Sequence, residues 1–384
     1  MRRTRTYPPP RPEALEARQL LSADPIGAAP TRGGYGVDGR GLTAAVIDTG
    51  VNYHHEALGG GYGPGFKVED GVDFADHHAT PLAIASQHGT AVAGLIASAD
   101  PNHPGVAPAA GIVALRVFGD DGKGSYADIA AALQWVLDNH ARDHITVANL
   151  SIADGANYTA DGFQQDGGIA ALIRELAAAD IPVVVAAGNN YQGRQGMGFP
   201  AIVPETISVA GLDPTGRLAG DAQRLDAAVG GASATDLAAP GTGLIAPIDG
   251  NHFTTADGSS FAAAEVTGAV LLLQQIYQAR FGHLPTVALL DQWLQAGARP
   301  VAGTGGLGRI DLAASAALIP SPAPAPARPA SPAEPLAIQP GPGHANGSSR
   351  PAVAVAGHGH LRKAPSHRSR VILNHPHAAR GRPA

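Results

Sequence analysis

The segment Asp257-Gly-Ser-Ser-Phe-Ala-Ala-Ala-Glu-Val-Thr-Gly268 reads as a tight glycine turn followed at once by an alanine-rich helix. Ser260 falls in the first helical turn, where backbone N–H groups lack helical partners and the positive end of the helix dipole lies. A hydroxyl in this turn is rigidly aimed and close to donors that could hold a developing oxyanion. Serine also commonly caps helices, so Ser260 alone does not distinguish a nucleophile from a cap.

The composition limits the kinds of chemistry and the compartments that need to be considered. The chain has 384 residues, 44% of them hydrophobic, which is enough for one large domain or two medium ones. It contains no cysteine, which excludes disulfides, thiolate metal sites and a cysteine nucleophile. No run approaches about 18 consecutive apolar residues, so no membrane-spanning helix is expected.

Charge and composition divide the chain into a body and two extensions. From residue 319 onward there are eight Lys or Arg residues and one acidic residue, which leaves 18 basic and 31 acidic residues before it. Residues 319–384 are dominated by Pro, Ala, His and Arg, so a disordered, solvated tail is predicted. Residues 1–25 are rich in Arg and Pro and lack an apolar core of signal-peptide length, so we predict a disordered extension without a secretory signal.

Between residues 26 and 318, short apolar runs alternate with helical patterns. The predicted strands cover residues 42–48, 111–118, 145–152, 181–187 and 206–211, and the predicted helices cover residues 88–98, 126–139, 167–179 and 309–318. This spacing is typical of βαβ units, and it predicts an α/β domain with a parallel sheet covered on both faces.

Polar residues stand where several of these predicted elements end or begin. Asp48 ends the first strand, His88 starts a helix, and Asn189 follows the strand 181–187. Each has an ordinary interpretation, as a strand terminator, a solvent-facing histidine or a turn residue. In the order Asp48, His88, Ser260, however, they are the parts of a nucleophile–base–orienter triad.

The stretch from residue 53 to residue 87 is rich in Gly and His and shows little periodicity. Its candidate metal ligands are His54, His55, Asp73, Asp76, His77 and His78. No metal-ligand spacing repeats cleanly among them, so they are interpreted as scattered residues of a surface loop, and no metal site is predicted.

Four sequence blocks together resemble a known family. Val46-Ile-Asp-Thr-Gly50, His88-Gly-Thr-Ala-Val-Ala-Gly94, Ala186-Ala-Gly-Asn189 and Gly258-Ser-Ser-Phe-Ala262 are similar to the signature blocks of subtilisin-like serine proteases, the subtilases. Shorter matches occur at residues 105–108, 198–200 and 239–241, in the same order. The resemblance covers about residues 26–318. It implies a three-layer α/β fold, with a mostly parallel central sheet and helices on both faces, and a serine endopeptidase.

The resemblance also implies catalytic roles for the polar residues. Ser260 would be the nucleophile and His88 the general base that later protonates the leaving amine. Asp48 would fix the imidazole tautomer and stabilise its charge. Asn189 would donate its side-chain amide to the oxyanion, together with the backbone N–H of Ser260.

Two further segments would contact the substrate. The resemblance implies that an edge segment formed by Ser151, Ile152 and Ala153 would pair with an extended peptide. It also implies that the primary specificity pocket would be lined by Ala187, Gly188 and Gly198. None of these residues is acidic. A broad endopeptidase that favours Leu, Phe, Tyr or Met before the scissile bond is therefore predicted.

The sequence departs from the family pattern at several positions. Ala91 stands where a second histidine is usual, and Ala264-Glu265 replaces a Pro-His pair after the nucleophile. Residues 97–105 form a shorter segment than the loop that binds structural calcium in many relatives. This argues against calcium at that loop, and no cofactor is expected to be required.

Two alternatives to this interpretation were weighed. A non-catalytic binding module could retain the same fold, but the presence of Asp48, His88, Asn189 and Ser260 argues against it. An α/β-hydrolase esterase would need a Gly-x-Ser-x-Gly elbow, which is lacking at Ser260, and a different triad order.

The expected partners are polypeptide substrates, with no nucleic acid and no membrane span, and a monomer is expected. An extracellular or cell-surface location is suspected from the resemblance alone.

Overall fold

A nine-stranded, mostly parallel sheet forms the centre of the computed structural model, which describes residue 24, residues 26–162 and residues 167–322. The strand order is β10-β11-β7-β6-β5-β4-β1-β3-β2, and the pairing of β10 with β11 is antiparallel whereas the other pairs are parallel. These strands are β1 (Thr43–Asp48), β2 (Val68–Asp73), β3 (Gly111–Arg116), β4 (Ile145–Leu150), β5 (Val183–Ala186), β6 (Thr206–Leu212), β7 (Leu237–Pro240), β10 (Arg299–Pro300) and β11 (Gly308–Arg309). A separate antiparallel hairpin joins β8 (Leu244–Pro247) and β9 (Phe253–Ala256).

Helices surround this sheet. In chain order they are α1 (Ala28–Tyr35), α2 (His88–Ala97), α3 (Tyr126–Asn139), α4 (Ile169–Ala178), α5 (Ala227–Gly230), α6 (Ser259–Phe281), α7 (Val287–Gly297) and α8 (Leu312–Ala317). None of the helices in the described ranges is both long enough and apolar enough to cross a bilayer.

The burial of β1 shows why the fold has three layers. Ala44 and Val46 belong to one buried cluster, which includes residues of α2, α6 and α7, whereas Ala45 and Ile47 belong to a second cluster with residues of α3 and α4. All four side chains are completely buried. Because successive side chains of a strand point to opposite faces, a continuous apolar run is the pattern of a strand covered on both sides. The predicted three-layer α/β fold is confirmed.

The strand order also determines where a site can form. β1 lies between β3 and β4, with Asp48 beside Arg116 and Ile47 beside Leu150. β2 and β3 therefore lie on one side of β1, whereas β4, β5, β6 and β7 follow in chain order on the other side. Loops diverge at such a reversal, and the resulting crevice at the carboxyl ends of the strands is the usual position of a binding site.

Several elements differ from the sequence prediction. Residues 53–87 are not all irregular, because β2 (Val68–Asp73) lies within them as an edge strand. Helices α1 and α7 and the β8–β9 hairpin were not predicted. The last helix is shorter than residues 309–318, since Gly308 and Arg309 pair with neighbouring strands and the Asp311 side chain caps the helix through the N–H of Ala314.

The packed chain continues slightly beyond α8. Ile319 is 3% exposed, and the Arg280 guanidinium donates to its carbonyl oxygen. The described residues up to Pro320 belong to one compact unit. The predicted N-terminal extension, except Asp24, and the predicted tail from residue 323 lie outside the described residues, so those domain boundaries stay predictions.

Candidate active site

Asp48 and His88 form a hydrogen-bonded pair at the carboxyl edge of the sheet, with Asp48 buried and the His88 side chain 9% exposed. His88 Nδ1 lies 2.8 Å from Oδ1 and 3.0 Å from Oδ2 of Asp48. Asp48 is the last residue of β1 and His88 the first of α2. Gly89 permits this close approach, because a Cβ there would lie 2.2 Å from the carbonyl oxygen of Gly50. An aspartate on this side of the ring favours the tautomer with hydrogen on Nδ1.

Ser260 lies on the first turn of α6, in contact with the segment that follows β4. Its hydroxyl donates to the carbonyl oxygen of Ser151 at 3.2 Å, and the Ser151 hydroxyl donates to the carbonyl oxygen of Ser260 at 2.7 Å. The next residue, Phe261, has its ring centroid 5.2 Å from that of His88. The structure thus brings the serine turn beside the Asp48–His88 pair, although these residues are far apart in the chain.

Asn189 lies against the same turn. Its side-chain oxygen accepts the N–H of Ser259 at 2.8 Å, which assigns the orientation of the amide. Its side-chain nitrogen lies 3.1 Å from the position that a Cβ on Gly258 would occupy. Gly258 has a φ of 140° and no side chain, so the NH₂ group can approach the serine turn closely. The amide is therefore held with its donor side towards the turn that carries Ser260.

The predicted pocket segments also meet. A Cβ on Gly198 would lie 2.9 Å from the Cβ of Ala153, and one on Gly188 would lie 3.5 Å from it. Gly198 N–H donates to the carbonyl oxygen of Ala187 at 2.9 Å. The side chains of Ile152 and Ala187 are buried, so these two residues can offer only backbone groups to a substrate.

Two residues next to these segments were missed by the sequence analysis. Gln223 is completely buried, and its side-chain NH₂ donates to the carbonyl oxygen of Ala156 at 2.7 Å and to Asn157 Oδ1 at 2.9 Å. Its side-chain oxygen accepts the N–H of Asn190 at 3.3 Å. Gln223 therefore ties together the segments that follow β4 and β5, and no motif around it gives a signal. The second missed residue is Asp154, which directly follows Ala153.

Three of the candidate metal ligands do lie close together. Ligand atoms of Asp73, Asp76 and His78 are all within 4.8 Å of one another. The buried guanidinium of Arg116 donates to Asp73 at 2.9 Å and to Asp76 at 3.0 Å. Arg116 therefore supplies the positive charge that these carboxylates need, and the cluster is an ion-pair network at the end of β3.

The interpretation of these residues as a surface loop is wrong for His55 and Asp73. Asp73 is 3% exposed because it pairs with Arg116, as described above. His55 is 2% exposed. Its Nδ1 accepts the N–H of Ala57 at 3.1 Å, and its Nε2 lies 3.1 Å from the carbonyl oxygen of His252. His55 therefore caps a short 3₁₀ helix and packs against the β8–β9 hairpin.

The short segment 97–105 closes on itself. Asp100 Oδ1 accepts the N–H groups of Asn102 and His103, each at 2.8 Å. The His103 ring stacks on Phe253 with 4.4 Å between centroids. The one carboxylate of this segment is thus engaged by its own turn, which is a poor arrangement for holding calcium through several oxygen ligands.

Comparisons with solved structures support the fold. The structure of a cold-adapted subtilisin-like serine proteinase superposes with a TM-score of 0.57 at 27% identity, covering 71% of this chain and 88% of that one. The prenylagaramide maturation protease PagA superposes with a TM-score of 0.59 at 21% identity, covering 76% of this chain and 97% of that one, and shows likeness of fold alone.

Sequence comparisons identify serine proteinases among the relatives of this chain. Subtilisin E of Bacillus subtilis (strain 168) is 29% identical over 251 residues, which is 64% of this chain and 58% of the relative. The thermophilic serine proteinase of Bacillus sp. (strain AK1) is 32% identical over 236 residues, 61% of this chain and 52% of the relative. The chain thus spans little more than half the length of these two relatives. The model of the subtilase family (Peptidase_S8) matches residues 39–303, which is more than half of the chain. The chain therefore belongs to the subtilase family.

Proposed function

We propose that this protein is a serine endopeptidase that hydrolyses peptide bonds through an acyl-enzyme intermediate. The observation that carries the proposal is the Asp48–His88 hydrogen bond at 2.8 Å beside the turn that presents Ser260. A strand end, a helix start and a second helix start converge at one sheet edge, and each carries the residue type that nucleophilic catalysis needs.

Each of these groups would take one step of the reaction. With Nδ1–H donated to Asp48, the other ring nitrogen of His88 can take the proton of Ser260. The hydroxyl would turn from the Ser151 carbonyl towards the imidazole as the substrate binds. Ser260 Oγ then attacks the peptide carbonyl, and His88 gives the proton to the leaving amine. Water completes the cycle by attacking the acyl ester with the same base.

The negative charge that develops on the carbonyl oxygen needs donors fixed in advance. Asn189 is suited to this role because its oxygen is held by Ser259, which leaves its NH₂ group facing the serine turn. The backbone N–H of Ser260, on the first turn of α6, would be the second donor. Donors fixed before the reaction stabilise the charge without reorganising during it.

Substrate binding would rely on the backbone beside the pocket. Ser151, Ile152 and Ala153 follow β4 and can pair with an extended peptide, which requires no particular sequence. The walls at Ala153, Gly188 and Gly198 supply the apolar surface on which the predicted broad, apolar preference rests. Hydrolysis by these groups needs no cofactor. We further propose that the protein is a monomer and that its substrates are polypeptides rather than nucleic acids. Its proposed location is extracellular or at the cell surface.

Labelling with a fluorophosphonate probe tests this function. The wild-type protein should react covalently and cleave an unfolded protein substrate, and Ser260→Ala should lose both properties while its melting temperature stays close to wild type. Ser321→Ala, which changes an exposed serine far along the chain, is the matched control and should behave as wild type. Undiminished cleavage by purified Ser260→Ala would refute the assignment of the nucleophile, and an unreactive wild-type protein would favour the non-catalytic binding module.

A further inference from the structure

The side chain of Asp154 lies between two of the segments that are predicted to line the primary specificity pocket. Its Oδ1 accepts the N–H of Phe199 at 3.1 Å and that of Ala156 at 3.0 Å. Its own N–H donates to the carbonyl oxygen of Phe199 at 3.1 Å. The residue therefore joins the segment after β4 to the segment of Gly198, which are two of the three segments that form the pocket.

Gly198 leaves this carboxylate open on one side. A Cβ at that position would lie 3.5 Å from Oδ1 of Asp154 and 2.9 Å from the Cβ of Ala153. Any side chain there would crowd Ala153 and cover the carboxylate. Because residue 198 is glycine, it carries no side chain that would cover Oδ1 of Asp154.

The groups that hold Asp154 are neutral. Besides the two backbone donors, the hydroxyl of Tyr158 donates to Oδ2 at 2.9 Å, and that of Tyr126 lies 3.5 Å from it. Across residues 24, 26–162 and 167–322, none of the ion pairs involves Asp154. Four donors hold the carboxyl group in place, but none of them supplies a positive charge.

The surroundings make the negative charge of Asp154 effective. Burial, the hydrogen bond to Asp154 and the charge of this carboxylate together raise the pKa of Tyr158 to about 12. The site is thus partly shielded from water, where a charge acts more strongly than on the open surface. The acidic body of the protein, in which carboxylates outnumber Lys and Arg, also favours the approach of cationic chains.

From these contacts we infer that Asp154 determines specificity: the pocket selects substrates with Lys or Arg before the scissile bond. The inference rests on the proposed peptidase function. The apolar stem of such a side chain would lie along Ala153, and its terminal cation would meet Oδ1 of Asp154. This preference differs from the broad, apolar preference predicted from the sequence, because Asp154 directly follows the segment Ser151 to Ala153 on which that prediction rests.

The test compares cleavage of peptides that differ only in the residue before the scissile bond. Wild-type enzyme should show a kcat/KM for Lys and Arg peptides about 10- to 100-fold above that for Leu and Phe peptides, the range expected for one charge-assisted hydrogen bond. Asp154→Asn keeps an oxygen for the two backbone donors and removes the charge, so the ratio should fall by about the same factor. Asp138→Asn, which makes the same change of net charge on α3, is the matched control and should leave the ratio unchanged.

A second measurement uses the unaltered protein, in case Asp154→Asn does not fold. A peptide aldehyde ending in arginine should inhibit more strongly than one ending in leucine. Equal or weaker inhibition by the arginine aldehyde, or an active Asp154→Asn enzyme with an unchanged preference, would overturn the inference while leaving the peptidase function standing. Absence of any cleavage and of fluorophosphonate labelling in the wild type would instead overturn the proposed function itself.

Discussion

His88 Nδ1 faces both carboxylate oxygens of Asp48, at 2.8 and 3.0 Å, while the N–H of Thr49 donates to Oδ1 of the same carboxylate at 2.7 Å. The backbone just after β1 therefore holds the Asp48 carboxylate in place. The carboxylate in turn fixes the plane and the tautomer of the His88 imidazole. Because Asp48 ends β1 and His88 begins α2, this contact also joins the sheet to the helix.

Asp48→Asn should lower kcat by about 10⁴-fold near neutral pH. The asparagine amide would present a donor to Nδ1 and so favour the wrong tautomer of His88. The measurement is steady-state hydrolysis of a peptide ester or amide, with a thermal melt to show that the fold is kept. A variant that folds normally and loses less than tenfold in kcat would contradict the role assigned to Asp48.

Asn189→Ala should lower kcat by about 10²–10³-fold with little change in KM. The reason is that the amide is held towards the serine turn, where charge develops only in the transition state. Progress curves over a range of substrate concentrations separate the two parameters. A defect confined to KM would show that Asn189 binds the substrate rather than the oxyanion.

The glycines of two helices should respond in opposite directions to the same substitution. In α6, a Cβ on Gly268 would lie 2.5 Å from the Cβ of Val106, so Gly268→Ala should destabilise the fold by about 1–3 kcal/mol through overpacking. In α1, a Cβ on Gly33 would have no neighbour within 4 Å, so Gly33→Ala should stabilise by about 0.5–1 kcal/mol. Urea unfolding of both variants gives the two free energies, and equal signs would contradict the packing described for α6.

The sequence alone was sufficient to predict the strands and helices whose pattern of apolar residues is local. The fully buried runs of β1 and β4 and the residues at their ends could be assigned because such strands read as continuous apolar segments. β2 could not be predicted in this way, because Glu69, Asp70 and Gly71 occupy the middle of an edge strand that is buried only at its ends. Edge strands carry weak patterns since one side of the backbone has no neighbour.

The residues missed in the site share a different cause. Gln223 reaches Asn157, 66 residues earlier in the chain, and Asp154 reaches Phe199, 45 residues later. Their roles depend on how two loops meet, which no local spacing encodes. Asp48 and His88 are 40 residues apart, and Ser260 lies farther still along the chain. Each of the three lies in a family block, and the blocks rather than the spacing indicated their roles.

Removal of the basic tail after Pro320 should leave both activity and melting temperature unchanged. Arg280 donates to the carbonyl oxygens of Ile319 and Pro320, so a chain ending at Pro320 keeps these contacts. A chain ending at Leu318 loses buried Ile319 and should melt several degrees lower. Differential scanning calorimetry of the two truncated proteins tests the boundary. A large loss of stability in the longer one would place part of the domain beyond residue 320.

Glu265 should make the protein less stable as the pH rises. It lies on α6 five residues after Ser260 and is 5% exposed. Burial, with a smaller contribution from the charge of Asp24, raises its pKa from 4.5 to about 8, and the charge of Arg32 opposes this rise. The unfolded chain loses this proton near pH 4.5 but the folded protein near pH 8, so folding takes up a proton between these values. The stabilisation is complete below about pH 4.5 and is lost as the pH rises through about 8.

Glu265→Gln keeps the shape of the side chain and removes its titration, so it should melt higher than wild type at pH 9 and close to wild type at pH 5. Glu56→Gln, on an exposed glutamate, is the control and should leave the pH dependence unchanged. Melting temperatures across this range, recorded for all three proteins after inhibition to prevent self-digestion, give the comparison. Parallel curves for wild type and Glu265→Gln would mean that Glu265 is ionised in the folded protein at neutral pH, and that α6 tolerates a buried charge near Arg32.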